Sequence, residues 1–240
     1  MKRTQRRVKA TQSVGKKRAS SERVASAQRG GASTGPDALE LLKKDHRTVE
    51  ALFKRFDKLG DSKKKEKQKL VSEIIRELSI HAAIEEQILY PASRKLVKAT
   101  EDEVLEALEE HHLVKWTLSE LYKMKPTDER FDAKVTVLKE MVEHHVQDEE
   151  NELFPQLKKL GKDKLRSLGS QLLLAKNVAP TRPHPRAPDT PPGNVVAGMG
   201  SALVDRALDA GKSLVKKVRG GNGSKSKSKS NGHSSHASHA

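Results

Sequence analysis

An eleven-residue pattern occurs twice in this chain, at residues 81–91 and again at 145–155. Each copy begins with a His, has Glu four and five residues later, and ends on Leu, an aromatic residue and a Pro. Residues four apart on a helix lie on one face, so each copy presents an imidazole and a carboxylate in the same direction. Two such helices facing each other provide the nitrogen and oxygen ligands of a first-row metal ion. The repeat therefore predicts a shared metal site formed by His81, Glu85, His145 and Glu149.

A shorter repeat adds one His from each of two further helices. Asp45-His46 recurs as Glu110-His111, and each His lies on the apolar stripe of a predicted helix. A single His on such a stripe is more often a hydrogen-bonded core residue than a ligand. Four of them with two buried Glu would be costly without a cation, because a buried carboxylate is rarely tolerated unless it is paired. We therefore add His46 and His111 to the predicted ligands. For Asp45 and Glu110 we favour the surface over a place behind the ligands.

The donor set indicates which metal would bind. The chain has no cysteine, which excludes thiolate sites, and a set of more than four His and Glu donors disfavours tetrahedral zinc. Imidazole with carboxylate suits iron or manganese, and the carboxylates are able to bridge two ions. Glu85 and Glu149 are the predicted bridges between the ions. Three neighbouring residues are alternative ligands if a helix is rotated. His112 would then take the place of His111, Glu150 would take the place of Glu149, and His144 would be a further ligand. No phosphate-binding loop or nucleophile–base pattern is visible, so no catalytic residue is predicted and turnover is left open.

Four helices with short connections must position these side chains. Apolar residues recur at helical spacing in four segments, and no segment alternates as a strand does. The first helix is predicted to begin with Pro36 in its first position and to end at Gly60. The second bends or breaks at Pro91, the third opens on a capping-box pattern at Thr100, and the fourth runs to Pro155. The fold class is thus all-α, an up-down-up-down four-helix bundle.

Composition divides the chain into one folded domain and two tails. All seven aromatic residues lie between positions 53 and 154. Residues 1–35 carry ten Lys and Arg against one acid, and residues 176–240 carry eleven against three, so the net charge of +15 belongs to the tails. We predict a disordered basic tail over 1–35, the bundle over 36–160 and a short capping helix over 161–178. Residues 179–240 are predicted to form a Pro-rich linker, a weak amphipathic segment and a disordered Lys/Ser/His-rich tail.

The tails also indicate partners and location. Basic arms of this kind contact nucleic acid or anionic surfaces through phosphates, without sequence specificity. No apolar run reaches the roughly 20 residues that span a bilayer. The Arg- and Ser-rich start resembles a transit peptide but lacks its amphipathic pattern. We predict a cytoplasmic protein without a transmembrane segment, and leave the oligomeric state open.

Residues 37–160 resemble the hemerythrin-like, HHE cation-binding family. The resemblance rests on Asp45-His46, on Glu110-His111-His112, and on the two eleven-residue copies with their His-x-x-x-Glu-Glu and Leu-aromatic-Pro elements. It implies a four-helix bundle that holds a non-haem di-iron centre bridged by two carboxylates and an oxygen species. The oxygen-carrying members have a second His four residues after the first on the third helix. In this chain Lys115 stands four residues after His111, and Trp116 four residues after His112.

This difference gives one iron fewer protein ligands and bears on function. It favours sensing, detoxification or iron handling over pure oxygen carriage. Our first hypothesis is a di-iron protein that binds or senses oxygen, peroxide or nitric oxide, or handles iron, in stress protection. The alternative is an iron-dependent scaffold that associates with nucleic acid or a membrane surface through its basic tails.

Overall fold

Seven α-helices follow one another between residues 38 and 176 of the computed structural model, which describes residues 35–188, 193 and 200–209. Within these residues there is no strand, which confirms the prediction of an all-α fold, and no helix is both long and apolar enough to cross a membrane. The predictions for the basic N-terminal tail and the final Lys/Ser/His-rich tail lie outside the described residues. The helices are α1 (Ala38–Asp57), α2 (Lys64–Ile84), α3 (Tyr90–Leu96), α4 (Glu101–Lys123), α5 (Phe131–Asp148), α6 (Phe154–Leu157) and α7 (Lys162–Lys176).

The four helices of 18 to 23 residues pack against one another in pairs: α1 on α2, α4 on α5, and α2 on α4. Their grouping as an up-down-up-down bundle stays a prediction. The start of α1 is fixed by Asp37, whose carboxylate accepts hydrogen bonds from two backbone N–H groups of the first turn. Pro36 precedes this cap, so the prediction that it takes the first helical position is wrong. At the start of α4 the Thr100 hydroxyl donates to the carbonyl of Val97, and the capping box predicted there does not form.

Both copies of the eleven-residue repeat remain helical through their prolines. A π-helical turn, Glu85–Leu89, joins α2 to α3, and a second one, Glu149–Leu153, joins α5 to α6. In each case the N–H of the residue after the turn donates to the carbonyl of the turn's first Glu, five residues back. Such a turn takes in one extra residue and accommodates a Pro, which has no N–H to donate. The chain therefore stays helical as far as Leu96, and the second predicted helix does not break at Pro91.

Two apolar clusters fill the interior, and a layer of polar side chains separates them. One cluster combines the start of α1 and the ends of the two repeat copies with α7, and includes Leu42, Ile84, Leu89, Leu153, Phe154 and Leu168. The other fills the opposite end and includes Val49, Phe53, Ile74, Val114, Leu118, Phe131 and Val142. The buried polar side chains between them require partners, because their desolvation is otherwise uncompensated.

The C-terminal part of the described chain packs onto the long helices. Leu165 and Leu172 of α7 are buried in the first cluster. The Pro-rich residues 177–188 are held at Asp205, whose carboxylate accepts hydrogen bonds from the backbone N–H groups of Thr181 and Arg182. Residues 200–209 of the predicted weak amphipathic segment are helical, because these contacts and the burial of Ala202 and Asp205 hold them in place.

Candidate metal centre

One His from each long helix points into the polar layer. His46 of α1 and His81 of α2 form one pair, with their Nε2 atoms 3.2 Å apart. His111 of α4 and His145 of α5 form the other, with Nε2 atoms 3.1 Å apart. All four side chains are buried. On each helix the His lies between residues that enter one apolar cluster and residues that enter the other. The four imidazoles therefore lie at one level of the molecule.

Glu85 and Glu149 lie between the two His pairs. Both are almost fully buried, at 0% and 2% exposure. Both oxygens of Glu85, and Oε2 of Glu149, accept no hydrogen bond from the described residues. Oε2 of Glu85 lies 3.1 Å from Nε2 of His81 and 3.5 Å from that of His111, and Oε2 of Glu149 lies 3.3 Å from that of His46 and 3.7 Å from that of His145.

The pKa values in this layer reflect burial and the close approach of the two carboxylates. Burial and the neighbouring Glu149 carboxylate raise the pKa of Glu85 well above its usual range. Burial opposes ionisation of Glu149 too, but the charge of His145 and the close contact with His46 outweigh it and lower the pKa of that carboxyl. Burial lowers the pKa of His81 to about 4. Three buried carboxylate oxygens without a hydrogen-bond donor among the described residues, placed beside four imidazole Nε2 atoms, fit a metal ion.

A carboxylate lies behind each of the four His. The Nδ1 atoms of three His are hydrogen-bonded to these carboxylates, and Nδ1 of His81 faces its carboxylate at 3.8 Å. An Nδ1–H bonded in this way leaves Nε2 as the atom that binds a metal. Asp45 and Glu110 therefore lie behind His rather than out on the surface. The hydrogen-bonded pairs are His46 with Glu150 at 2.9 Å, His111 with Glu86 at 3.0 Å and His145 with Glu110 at 2.7 Å.

The three alternative ligands do not join the buried donors. Glu150 is hydrogen-bonded to the outer nitrogen of His46. His112 lies on the outer side of α4, where its Nε2 accepts a hydrogen bond from Trp116 at 3.0 Å. His144 is 65% exposed. On the third predicted helix, His111 is thus the residue that faces the other donors.

Tyr90 belongs to the centre and was not among the predicted site residues. Its buried hydroxyl donates to Oε1 of Glu149 at 3.0 Å and lies 3.3 Å from Nε2 of His111. The corresponding residue of the second repeat copy is Phe154, whose ring stacks on that of His46 at 5.9 Å. The signal for Tyr90 was present in the sequence, because only one copy of the repeat has a hydroxyl at this position.

Position 115 holds a buried cation where the oxygen carriers have a ligand. Lys115 is 7% exposed, and its Nζ lies 3.0 Å from Oε1 of Glu86, the carboxylate behind His111.

The donors fall into two groups that share Glu85. One contains His46, His81, Glu85 and Glu149, and the other Glu85, His111 and His145.

A small cavity adjoins the donors. Its volume is about 20 Å³, enough for a guest the size of one water molecule. Apart from the four His rings and Asp45, its walls are apolar, with Val49, Leu78, Ala82, Val114, Val142 and Val146. A cavity of this size excludes any guest much larger than one water molecule.

These features define a helical metal-binding protein with a buried His and carboxylate centre. The sequence model of the hemerythrin HHE cation binding domain matches residues 37–157, just over half of the chain. The chain therefore belongs to this family, and its helical domain is a cation-binding one.

Two relatives and one solved structure resemble the chain. An uncharacterised hemerythrin-like protein of Schizosaccharomyces pombe is 29% identical over 172 residues, which cover 71% of this chain and 84% of that protein. A DNA nickase of Nostoc is 30% identical over 115 residues, or 48% of this chain, and the match spans about a third of the nickase, 32%. The crystal structure of a hemerythrin HHE cation binding domain-containing protein from Mycobacterium kansasii matches with a TM-score of 0.52 at 24% identity, covering 59% of this chain and 86% of that one. This last match concerns the fold alone.

Proposed function

We propose that the buried layer holds two iron ions, with Glu85 and Glu149 between them. The observation that supports this most is that Glu85 belongs to both donor groups, so one carboxylate is within reach of both His pairs. The set of nitrogen and oxygen donors without thiolate suits iron, with manganese as the alternative. The proposed ligands are His46, His81, Glu85, His111, His145 and Glu149.

The surrounding residues prepare this centre to bind a small ligand. Bound iron would supply affinity for oxygen, peroxide or nitric oxide. The carboxylates behind the His fix the ring orientation, and the Tyr90 hydroxyl offers a hydrogen-bond donor beside Glu149. The cavity keeps the space next to the His rings small. We therefore propose a protein that binds or senses such a ligand, or handles iron, in stress protection. Its cytoplasmic location stays a prediction.

Iron loading of Glu85→Ala and Glu149→Ala tests the centre. The full chain is loaded with Fe²⁺ without oxygen, exposed to air, and assayed for metal content and ultraviolet-visible absorption. The parent is expected to hold two irons per chain and to gain near-ultraviolet absorption, and both variants lose the metal and the absorption. Glu143→Ala, an exposed carboxylate of α5, serves as the control and keeps both. One zinc per chain with no spectral change would overturn the proposal.

The unequal donor groups favour sensing or iron handling over oxygen carriage. The group that contains His111 has three donors and the other has four, because Lys115 takes the place of a further His. Oxygen uptake by the reduced protein that is rapid, complete and reversible over many cycles would contradict this preference.

Association with nucleic acid is a second candidate function. The tails are strongly basic, and one of the similar proteins is a DNA nickase. Contacts of Lys and Arg with phosphates weaken steeply with salt. We expect the full chain to be retained on duplex DNA at low salt and released at high salt, and retention to be lost on deletion of residues 1–34 and 195–240. Absence of binding at low salt, to DNA and to anionic vesicles alike, would rule out the role proposed for the tails.

A further inference from the structure

The four carboxylates behind the His differ in how their charge is balanced. Three of them form ion pairs with Lys or Arg. Glu110 forms none with a Lys or Arg of the described residues, and its Oε1 instead faces Nε2 of His144 at 3.7 Å. Among the described residues, Glu110 is thus the one carboxylate of the four whose partners are His alone. The three balanced pairs are Glu86 with Lys115, Asp45 with Lys176, and Glu150 with Arg47 and Lys43.

An acidic cavity opens at Glu110. Its volume is about 260 Å³, and no Lys or Arg lines it. Its inner wall includes His145 and Glu149 of the buried centre, and Oε2 of Glu149 is buried without a hydrogen-bond donor among the described residues. A cleft lined by charges of one sign concentrates ions of the opposite sign. The cavity therefore attracts cations toward an unsatisfied buried oxygen. Its carboxylates are Glu103, Glu106, Glu110, Asp148, Glu149 and Glu152.

Three donors lie together on the outer wall of this cavity. His144 and Asp148 are one turn apart on α5, with Nε2 and Oδ2 separated by 3.5 Å. Glu110 of α4 completes the group, and the three donor atoms lie within 4.8 Å of one another. One imidazole and two carboxylates suit Fe²⁺, Mn²⁺ or Zn²⁺. Because His144 is 65% exposed, water can complete the coordination and a bound ion can leave again.

We propose that Glu110, His144 and Asp148 form a second, surface-exposed site for a divalent first-row cation, and that this site delivers metal to the buried centre. Glu110 connects the two sites, because its Oε2 accepts a hydrogen bond from Nδ1 of His145 at 2.7 Å while its Oε1 faces His144. The surface site stands on these contacts alone. Its delivery role rests on the proposed function of the buried centre.

Manganese binding tests the surface site independently of the buried one. Mn²⁺ is titrated into the full chain carrying Glu85→Ala, which removes the donor shared by both buried groups, and free Mn²⁺ is followed by electron paramagnetic resonance. We expect one ion per chain, with an affinity that falls at least tenfold when His144→Gln and Asp148→Asn are added. The same affinity after these substitutions overturns the site. Glu143→Gln, next to His144 in sequence but on the wall of a different cavity, is the matched control and leaves the affinity unchanged.

The rate of anaerobic Fe²⁺ uptake tests delivery. In the otherwise unaltered chain, His144→Gln with Asp148→Asn is expected to slow loading at least fivefold while the final iron content stays that of the parent, and Glu143→Gln loads at the parental rate. An unchanged rate overturns the delivery role, and so does a lower final content, since the two residues would then belong to the buried centre. If the parent itself takes up no iron, the proposed function fails, whereas the Mn²⁺ titration still decides the surface site.

Discussion

Tyr90 and Phe154 occupy equivalent positions in the two repeat copies, and only Tyr90 brings a hydroxyl to the buried carboxylates. Its O–H donates to Oε1 of Glu149, a residue that is 2% exposed. Desolvation makes this hydrogen bond more important than one at the surface, because a buried carboxylate oxygen that loses its donor has no replacement. The two halves of the centre are therefore chemically different despite their common sequence pattern.

Tyr90→Phe is expected to destabilise the metal-free protein. Removing the hydroxyl leaves Oε1 of Glu149 without this donor, at a cost of about 1–3 kcal/mol. Urea denaturation followed by circular dichroism measures the difference. Tyr122→Phe removes a hydroxyl from a ring that is 44% exposed and serves as the control, with a change within about 0.5 kcal/mol. Equal stability of the two variants would show that the Tyr90 hydroxyl does not hold Glu149.

Lys115→Met is expected to lower the free energy of unfolding more than Tyr90→Phe does, because it removes the Lys115 ammonium from the buried Glu86 carboxylate. Breaking one partner of a buried pair costs about 3–5 kcal/mol. Adding Glu86→Gln removes the carboxylate charge and should recover at least about 1 kcal/mol, which a double-mutant cycle on urea midpoints would detect. Lys139→Met breaks the exposed pair with Asp57, where a loss of no more than about 1 kcal/mol is expected. Strictly additive effects of the Lys115 and Glu86 substitutions would contradict the pairing.

At this scale the sequence predicted some residues of the centre and missed others for a definable reason. The spacing of His81 and Glu85 follows from helix geometry alone, since residues four apart share a face. Glu86 and Asp45 contact His on a different helix, and no local pattern encodes such a contact. Position 115 shows the same limit. A Lys at this position is predicted from sequence to be solvent-exposed, and its burial follows from its contact with Glu86, which the sequence does not show.

At the scale of elements, the two π-helical turns determine how the repeat copies end. Pro91 and Pro155 each follow a turn in which the hydrogen bonds span five residues, so the helix continues past them. A bend or a break was predicted at Pro91 because Pro removes a hydrogen bond from a regular α-helix. Both turns begin at the proposed bridging residues, Glu85 and Glu149. Apolar periodicity predicted where the four long helices lie, but it carries no signal for one extra residue in a turn.

The packing of α7 depends on Gly169. A Cβ atom at this position would lie 2.0 Å from the carbonyl oxygen of Pro36 and 2.9 Å from the backbone N of Ala38. Both are backbone atoms, so the chain before α1 would have to move. The absence of a side chain thus allows α7 to cover the first apolar cluster closely.

Gly169→Ala is therefore expected to destabilise the protein although Ala favours helix. The clash costs about 1–3 kcal/mol, against a gain in helix propensity of about 1 kcal/mol, so a net loss is expected in thermal denaturation. Gly60→Ala is the control, because a Cβ at Gly60 meets nothing within 4 Å. A Gly169→Ala variant as stable as Gly60→Ala would mean that α7 does not pack closely against the start of α1.

At the scale of the whole molecule, the centre lies between two apolar clusters that are each able to hold their helices. One includes α7 and the ends of the repeat copies, and the other the opposite ends of the long helices. Without metal, the polar layer between them contributes little to the stability of the fold, because two buried carboxylates repel each other and burial opposes their ionisation. Bound metal should therefore add stability to a protein that is already folded without it, in contrast to small domains that are unfolded without metal.

Removal of metal is expected to lower the melting temperature while the helices persist. A ligand present at 100 times its dissociation constant stabilises the folded state by about 2.7 kcal/mol. In a domain of this size that corresponds to about 5–10 °C. Circular dichroism of the iron-loaded and chelated protein measures both quantities, with Glu85→Ala as the control whose melting temperature does not respond to chelation. An unchanged melting temperature in the parent would argue against bound metal, and loss of the helical signal on chelation would show that the two apolar clusters do not hold the fold without it.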